Sequence, residues 1–147
     1  MGYPAAPHIV IAEDNGPDVI LINEALRAAG VRIEIRVFPD GEDCVRYLRS
    51  SPDPPSAIIL DLNLPRLDGF EVLRVVRGEP RYARVPVAVL TSSRQEEDKR
   101  KAFDLGANAF ITKPSKLDEF LTNVGQAVRS LLAANPAPPI PGKTDQL

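Results

Sequence analysis

A chain of 147 residues that is 44% hydrophobic and 26% charged suits one globular domain, able to bury about two-thirds of its unfolded surface. Its net charge of −2 gives no electrostatic footing for nucleic acid or an anionic membrane. The single cysteine, Cys44, excludes an internal disulfide and suits a reducing compartment. No basic-then-apolar leader opens the chain, and no run approaches the about 18 apolar residues of a membrane span, so a soluble cytoplasmic protein is expected.

In chain order, residues 8–12 are apolar and end in Glu13-Asp14-Asn15, which predicts a strand followed by a polar turn. Residues 17–29 carry Val19, Ile20, Ile22 and Leu26 and stop at Gly30, the pattern of a helix. Residues 31–38 alternate strictly, with Arg32, Glu34 and Arg36 against Val31, Ile33, Ile35 and Val37; period two with one wet face predicts an edge strand. Asp40-Gly41 opens a helix with Cys44, Val45 and Leu48 inward. In Ala57-Ile58-Ile59-Leu60-Asp61-Leu62 the acid ends an unbroken apolar run, which predicts a strand buried on both faces. A helix over 69–77, a strand over 86–90, a highly charged helix over 94–105 stopped by Gly106, and a strand over 107–111 follow. Apolar positions at 117, 120, 121, 124, 128, 131 and 132 repeat as one helical face. Residues 133–147 hold Pro136, Pro138, Pro139 and Pro141 without periodicity and are expected to form a flexible tail after a domain of residues 7–132.

Five strands alternating with five helices imply right-handed crossovers and a parallel, doubly wound α/β sheet. In such a sheet the C-terminal ends of the strands share one edge, where ligands bind. Glu13 and Asp14, Asp61, Thr91-Ser92 and Lys113-Pro114 therefore converge although distant in sequence. An unpaired carboxylate beside apolar surroundings costs several kcal/mol, roughly, so Asp61 is read as a working residue. Three crowded carboxylates call for a cation, and an all-oxygen donor set favours a hard ion such as Mg²⁺. Lysine and a hydroxyl beside such a cluster suit a phosphoryl group, and a carboxylate can itself be the nucleophile.

These residues resemble the receiver domain of two-component response regulators over about residues 8–132. The signatures are Glu13-Asp14, Asp61 in Asp61-Leu62-Asn63-Leu64-Pro65-Arg66-Leu67-Asp68-Gly69, Thr91 in Val89-Leu90-Thr91-Ser92, and Lys113-Pro114. Separations of 91 − 61 = 30 and 113 − 91 = 22 match the family's usual ones. The stretches around Thr91-Ser92-Ser93-Arg94 and Asp104-Leu105-Gly106-Ala107-Asn108 are similar to stand-alone receivers paired with phytochrome-type histidine kinases.

The resemblance implies a flavodoxin-like strand order 2-1-3-4-5 and a protein that accepts a phosphoryl group from a sensor histidine kinase on Asp61. It implies Mg²⁺ held by Asp14, Asp61 and Glu13, with the backbone carbonyl of Asn63 completing the set. Lys113 would pair with the phosphoryl oxygens and Thr91 would hydrogen-bond one of them. Phe110 would be the aromatic that turns inward on activation, and the Lys113–Pro114 peptide would be cis. The chain departs from the family where Phe110 lacks a tyrosine hydroxyl and where Lys99 replaces an apolar output contact. Output through protein contacts or phosphoryl relay is expected, and the stripe along the last helix leaves room for a homodimer through the fifth-strand side.

Blander readings exist for each motif taken alone. Glu13-Asp14-Asn15 and Thr91-Ser92-Ser93 are ordinary cap chemistry, Asp68-Gly69 is a turn, Cys44 a small core residue, and His8 lies away from the site. A haloacid-dehalogenase-type phosphatase would place its Asp-x-Asp after the first strand, whereas Asn63 stands two after Asp61 and Asp61 follows the third. A flavodoxin-like cofactor binder would not put Glu13-Asp14 where a phosphate must sit. A binding module indifferent to phosphorylation stays open.

Overall fold

The chain alternates strand and helix: β1 His8–Ala12, α1 Gly16–Ala28, β2 Glu34–Phe38, α2 Gly41–Ser50, β3 Ala57–Leu60, α3 Gly69–Gly78, β4 Val87–Thr91, α4 Glu96–Asp104, β5 Ala109–Thr112 and α5 Leu117–Ala134. A single 3₁₀ turn, Pro80–Tyr82, separates α3 from β4 among the described residues. The structure is a computed structural model and describes residues 7–134. Its strands form one parallel sheet in the order β2-β1-β3-β4-β5, the doubly wound arrangement expected.

Period two along the central strands sorts the core into two layers. Ile9, Ile11, Ile59 and Leu90 face Ile22, Ala25 and Leu26 of α1 and Phe120, Val124 and Val128 of α5. Val10, Ile58, Leu60, Val87 and Val89 face Cys44, Val45 and Leu48 of α2, Val72, Leu73 and Val76 of α3, and Ala102 of α4. β1, β3 and β4 are buried at every position, which explains their unbroken apolar runs. Close helix packing in the first layer depends on Gly125, where a Cβ would lie 2.7 Å from the carbonyl oxygen of Ala25 and 3.0 Å from the Cβ of Ala29.

Helix starts follow short polar side chains. Asn15, Asp40 and Asp68 each accept the amide three residues on, at 3.0, 2.7 and 3.0 Å. Gly30 and Gly106, at φ 78° and 105°, end α1 and α4 in the left-handed region. Local bonding also explains where boundaries move from those predicted. The amide of Val31 donates to Leu26 O (2.8 Å), so that residue caps α1, and β2 begins at Glu34 beside the first residue of β1. Ala107 likewise donates to Ala102 O and caps α4. Ser93 delays α4 to Glu96, its hydroxyl accepting from Gln95 N and donating to Asp98 Oδ2 (2.6 Å).

Three apolar residues expected inward point outward: Ile20 (64% exposed), Val37 (40%) and Leu117 (59%). At about 100° per residue Ile20 falls opposite Ile22, Val37 nears the end of an edge strand, and Leu117 opens α5. α5 continues through Ala134, two residues past 132. The Pro-rich stretch expected to be a flexible tail lies, from residue 135, outside the described residues. No helix among the described residues is long and apolar enough to cross a membrane.

At the N-terminal ends of β4 and β5, Arg77 of α3 fastens the two connections that lead into those strands. Its guanidinium donates from Nε and Nη2 to Gly106 O (3.0 and 2.9 Å), from Nη1 to Tyr82 O and Val85 O (3.0 and 2.8 Å), and from Nη2 to Asn108 Oδ1 (2.9 Å). Burial pushes this guanidinium below its ordinary pKa.

Candidate phosphoacceptor and metal site

Asp61 follows the last residue of β3, and its backbone amide still donates to Ala12 O of β1 (3.0 Å), so the sheet fixes where its side chain starts. The side chain is 6% exposed; Oδ1 accepts from Asn63 N (3.1 Å) and Oδ2 from Lys113 Nζ (3.1 Å). Two glycines let helices crowd this turn. A Cβ at Gly69 would overlap the carbonyl of Asp61, and one at Gly41 would overlap that of Leu67. Gly69 N donates to Leu62 O (2.9 Å) and Gly41 N to Pro65 O (3.2 Å), pinning the loop from both sides. Gly69 is thus more than the turn residue it resembles in sequence.

Glu13 and Asp14 extend from the end of β1, and with Asp61 their carboxylate oxygens come within 4.8 Å of one another. Glu13 and Asp61 are buried, whereas Asp14 is exposed. Lys113, carried just past β5, drives its ammonium into this cluster: Nζ lies 2.9 Å from Glu13 Oε1, 2.7 Å from Asp18 Oδ2 and 3.1 Å from Asp61 Oδ2. Thr91, at the end of β4 next to β3, is fully buried; its Oγ1 accepts from Ser93 N (3.3 Å) and its carbonyl from Lys113 N (2.7 Å). Phe110 of β5 is half-buried, paired with Val89 and packed against the larger apolar cluster.

Residues 9–125 match the family model described as the response regulator receiver domain. The chain belongs to that family. Over 121 residues the receiver is 33% identical to Response regulator Rcp1 of Synechocystis sp., covering 79% of this chain and 82% of that one. The phosphorylated cyanobacterial phytochrome response regulator RcpA superposes with a TM-score of 0.80 at 35% identity, over 94% of this chain and 100% of the other. The Mn²⁺-bound form of response regulator Rcp1 superposes with a TM-score of 0.77 at 30% identity, over 92% and 99%. As a receiver the protein is a phosphoacceptor of two-component signalling, in a family that binds divalent metal ions.

The electrostatics of the receiver's rim follow from burial. Burial, with Asp61's charge adding to it, pushes Glu13 up to about 7, although Lys113 works the other way. Burial alone would lower Lys113, yet hydrogen bonds to Asp18 and Glu13 and the charge of Asp61 outweigh it and hold the ammonium above its ordinary range. A metal ion fits what is present: the three clustered donors are all carboxylate oxygens, and the buried two, Glu13 and Asp61, share the one ammonium of Lys113 among the described residues. Glu13, Asp14 and Asp61 could hold it.

Of the residues expected at the site, Glu13, Asp14, Asp61 and Lys113 gather, and Thr91 ends the neighbouring strand. One expectation is corrected. The Lys113–Pro114 peptide is not cis, since no cis peptide bond occurs among the described residues. Trans is the favoured X–Pro form by roughly 0.5–1 kcal/mol, and both the amide and ammonium contacts of Lys113 are made with it. The residue missed in the sequence is Asp18. An acid in a helix's first turn, three after the capping Asn15, looks like ordinary dipole and cap chemistry, and only the fold brings it to Lys113.

His8 and Cys44 take no part. His8 is buried with its Nε2 3.0 Å from the Tyr47 hydroxyl, and Cys44 is a core thiol that burial pushes up to about 12.

Proposed function

We propose that Asp61 is the phosphoacceptor, taking the group from the phosphohistidine of a sensor kinase. The observation that carries this is the single ammonium of Lys113 shared among carboxylates at the rim, with Asp61 held in the buried middle. A carboxylate oxygen of Asp61 attacks phosphorus, the phosphorus–nitrogen bond breaks, and its electron pair returns to the imidazole. Lys113 meets the charge on the transferred oxygens, and the Thr91 hydroxyl donates to one of them. Mg²⁺ held by Glu13, Asp14, Asp61 and the carbonyl of Asn63 would neutralise phosphoryl charge when bound. Occupation then biases Thr91 and Phe110 toward a second arrangement of the β4–β5 surface.

On this reading the protein acts on no substrate but its own phosphoryl group and works in the cytoplasm. Likeness to Rcp1 and to the phytochrome regulator RcpA supports a phytochrome-type histidine kinase as donor. Association of two copies through the β5–α5 side is supported by β5 being a sheet edge whose four residues are all part-exposed. Light scattering with and without beryllofluoride tests it, and a monomer in both removes it. Incubation with Mg²⁺ and acetyl phosphate should add one phosphoryl group to the wild type, by intact mass, and none to Asp61→Asn. Equal labelling of the two would sink the assignment.

A further inference from the structure

The ammonium of Lys113 has three N–H donors and meets three carboxylates. Two of these, Glu13 and Asp61, belong to the cluster suited to a cation; the third, Asp18, does not. Its 2.7 Å contact is nonetheless the shortest of the three. Asp18 is held in the first turn of α1, where its amide donates to Asn15 Oδ1 (3.0 Å), while the amide of Asn15 donates to Glu13 Oε2 (3.2 Å). A cation bound among Glu13, Asp14 and Asp61 would draw charge away from two partners of Lys113 and leave the third untouched. Any phosphoryl group on Asp61 must then compete with Asp18 for the same donor.

We propose that Asp18 is a positioning residue that acts through Lys113, holding its ammonium toward α1 and so weakening its grip on a phosphoryl group at Asp61. The inference rests on Asp61 being the acceptor. It makes the first turn of α1 a control point for phosphoryl occupancy, separate from the metal-binding carboxylates. Asp18→Asn keeps the shape and removes the competing charge.

The test is a titration of beryllofluoride, a phosphoryl mimic, at saturating Mg²⁺, followed by the amide resonances of Asn63 and Thr91. Asp18→Asn should bind it about three- to fivefold tighter than the wild type, the range a single part-exposed ion pair accounts for. Asp18→Ser, a second neutral variant suited to a first helical turn, should do the same, and Asp18→Glu should stay within about twofold of the wild type. In a Lys113→Met background the Asp18→Asn gain should vanish, because a general loss of negative charge would persist there whereas a competition for Lys113 cannot. Unchanged or weaker binding by both neutral variants overturns the inference, as does a gain that survives Lys113→Met, while the wild type still binds. If the wild type binds no beryllofluoride, the acceptor assignment falls and this inference with it.

Discussion

The two ends of β5 hold the same kind of group and treat it in opposite ways. At the N-terminal end, beside Asn108, Arg77 spends its guanidinium on four neutral oxygens, three of them backbone carbonyls. At the C-terminal end, Lys113 sets its ammonium among carboxylates. Neutral backbone acceptors have nowhere else to go, so the Arg77 bonds last as long as the fold does. Carboxylates can exchange an ammonium for a metal ion or a proton, so the Lys113 end can change partners without unfolding. The difference separates a fastening from a switch, although both cations are part-buried and both sit where a loop meets the sheet.

The largest effect should come from cutting the fastening. Arg77→Ala strands part-buried backbone carbonyls and should cost about 2–4 kcal/mol, read as a lower urea midpoint. Arg77→Lys should recover less than half, since an ammonium cannot reproduce the planar fork. Neither loss should be reversed by Mg²⁺. Lys113→Ala should cost about 1–3 kcal/mol in metal-free protein, by leaving the acids without their counter-charge, and Mg²⁺ should restore most of it. Rescue of Arg77→Ala by the metal, or failure to rescue Lys113→Ala, would break the contrast.

A smaller effect sharpens it through pH. Glu13 has a folded-state value of about 7 against an ordinary 4.5. Between those values the folded protein keeps a proton that the unfolded chain has released, so this group's contribution to stability is present at low pH and lost as pH rises through 7. Metal-free protein should therefore show a stability component that declines from about pH 5 to 8, absent from Glu13→Gln and opposed by Mg²⁺. Lys113, raised above its ordinary value, changes nothing in that window, because its contribution is lost only in the alkaline range. The smallest effect is a control: the Cys44 thiol, pushed up to about 12 by burial, should stay silent to Ellman's reagent until the protein unfolds.

The sheet and most of the rim could be read from sequence because their signals are strong and local. Ala57-Ile58-Ile59-Leu60 can be little other than a buried strand, and Asp61 after it stands out for want of a core role. The helix start at Asp40 follows equally from side-chain chemistry, whereas Asp68, which reads as a turn, caps α3. Asp18 could not be read in this way, since its part depends on how α1 meets the end of β5, 95 residues on. Arg77 was equally hidden, because three of its four partners are backbone oxygens, which carry no residue identity. The expected inward turn of Val37 and Leu117 fails because periodicity assigns a face but not whether a neighbour covers it at the end of an element.

The meeting of Gly125 with Ala25 has a kinetic meaning. It closes a loop of 125 − 25 = 100 residues, so the first layer of the core cannot be completed until α5 has been made and has found α1. Contacts of such long sequence separation bear the loop-closure entropy late, and the transition state for folding should precede them. Gly125→Ala, which wedges a methyl group into that seam, should accordingly speed unfolding while leaving the refolding rate nearly unchanged in stopped-flow experiments. The α1–α5 seam would then be the latch that sets how long the folded receiver survives, not how fast it forms.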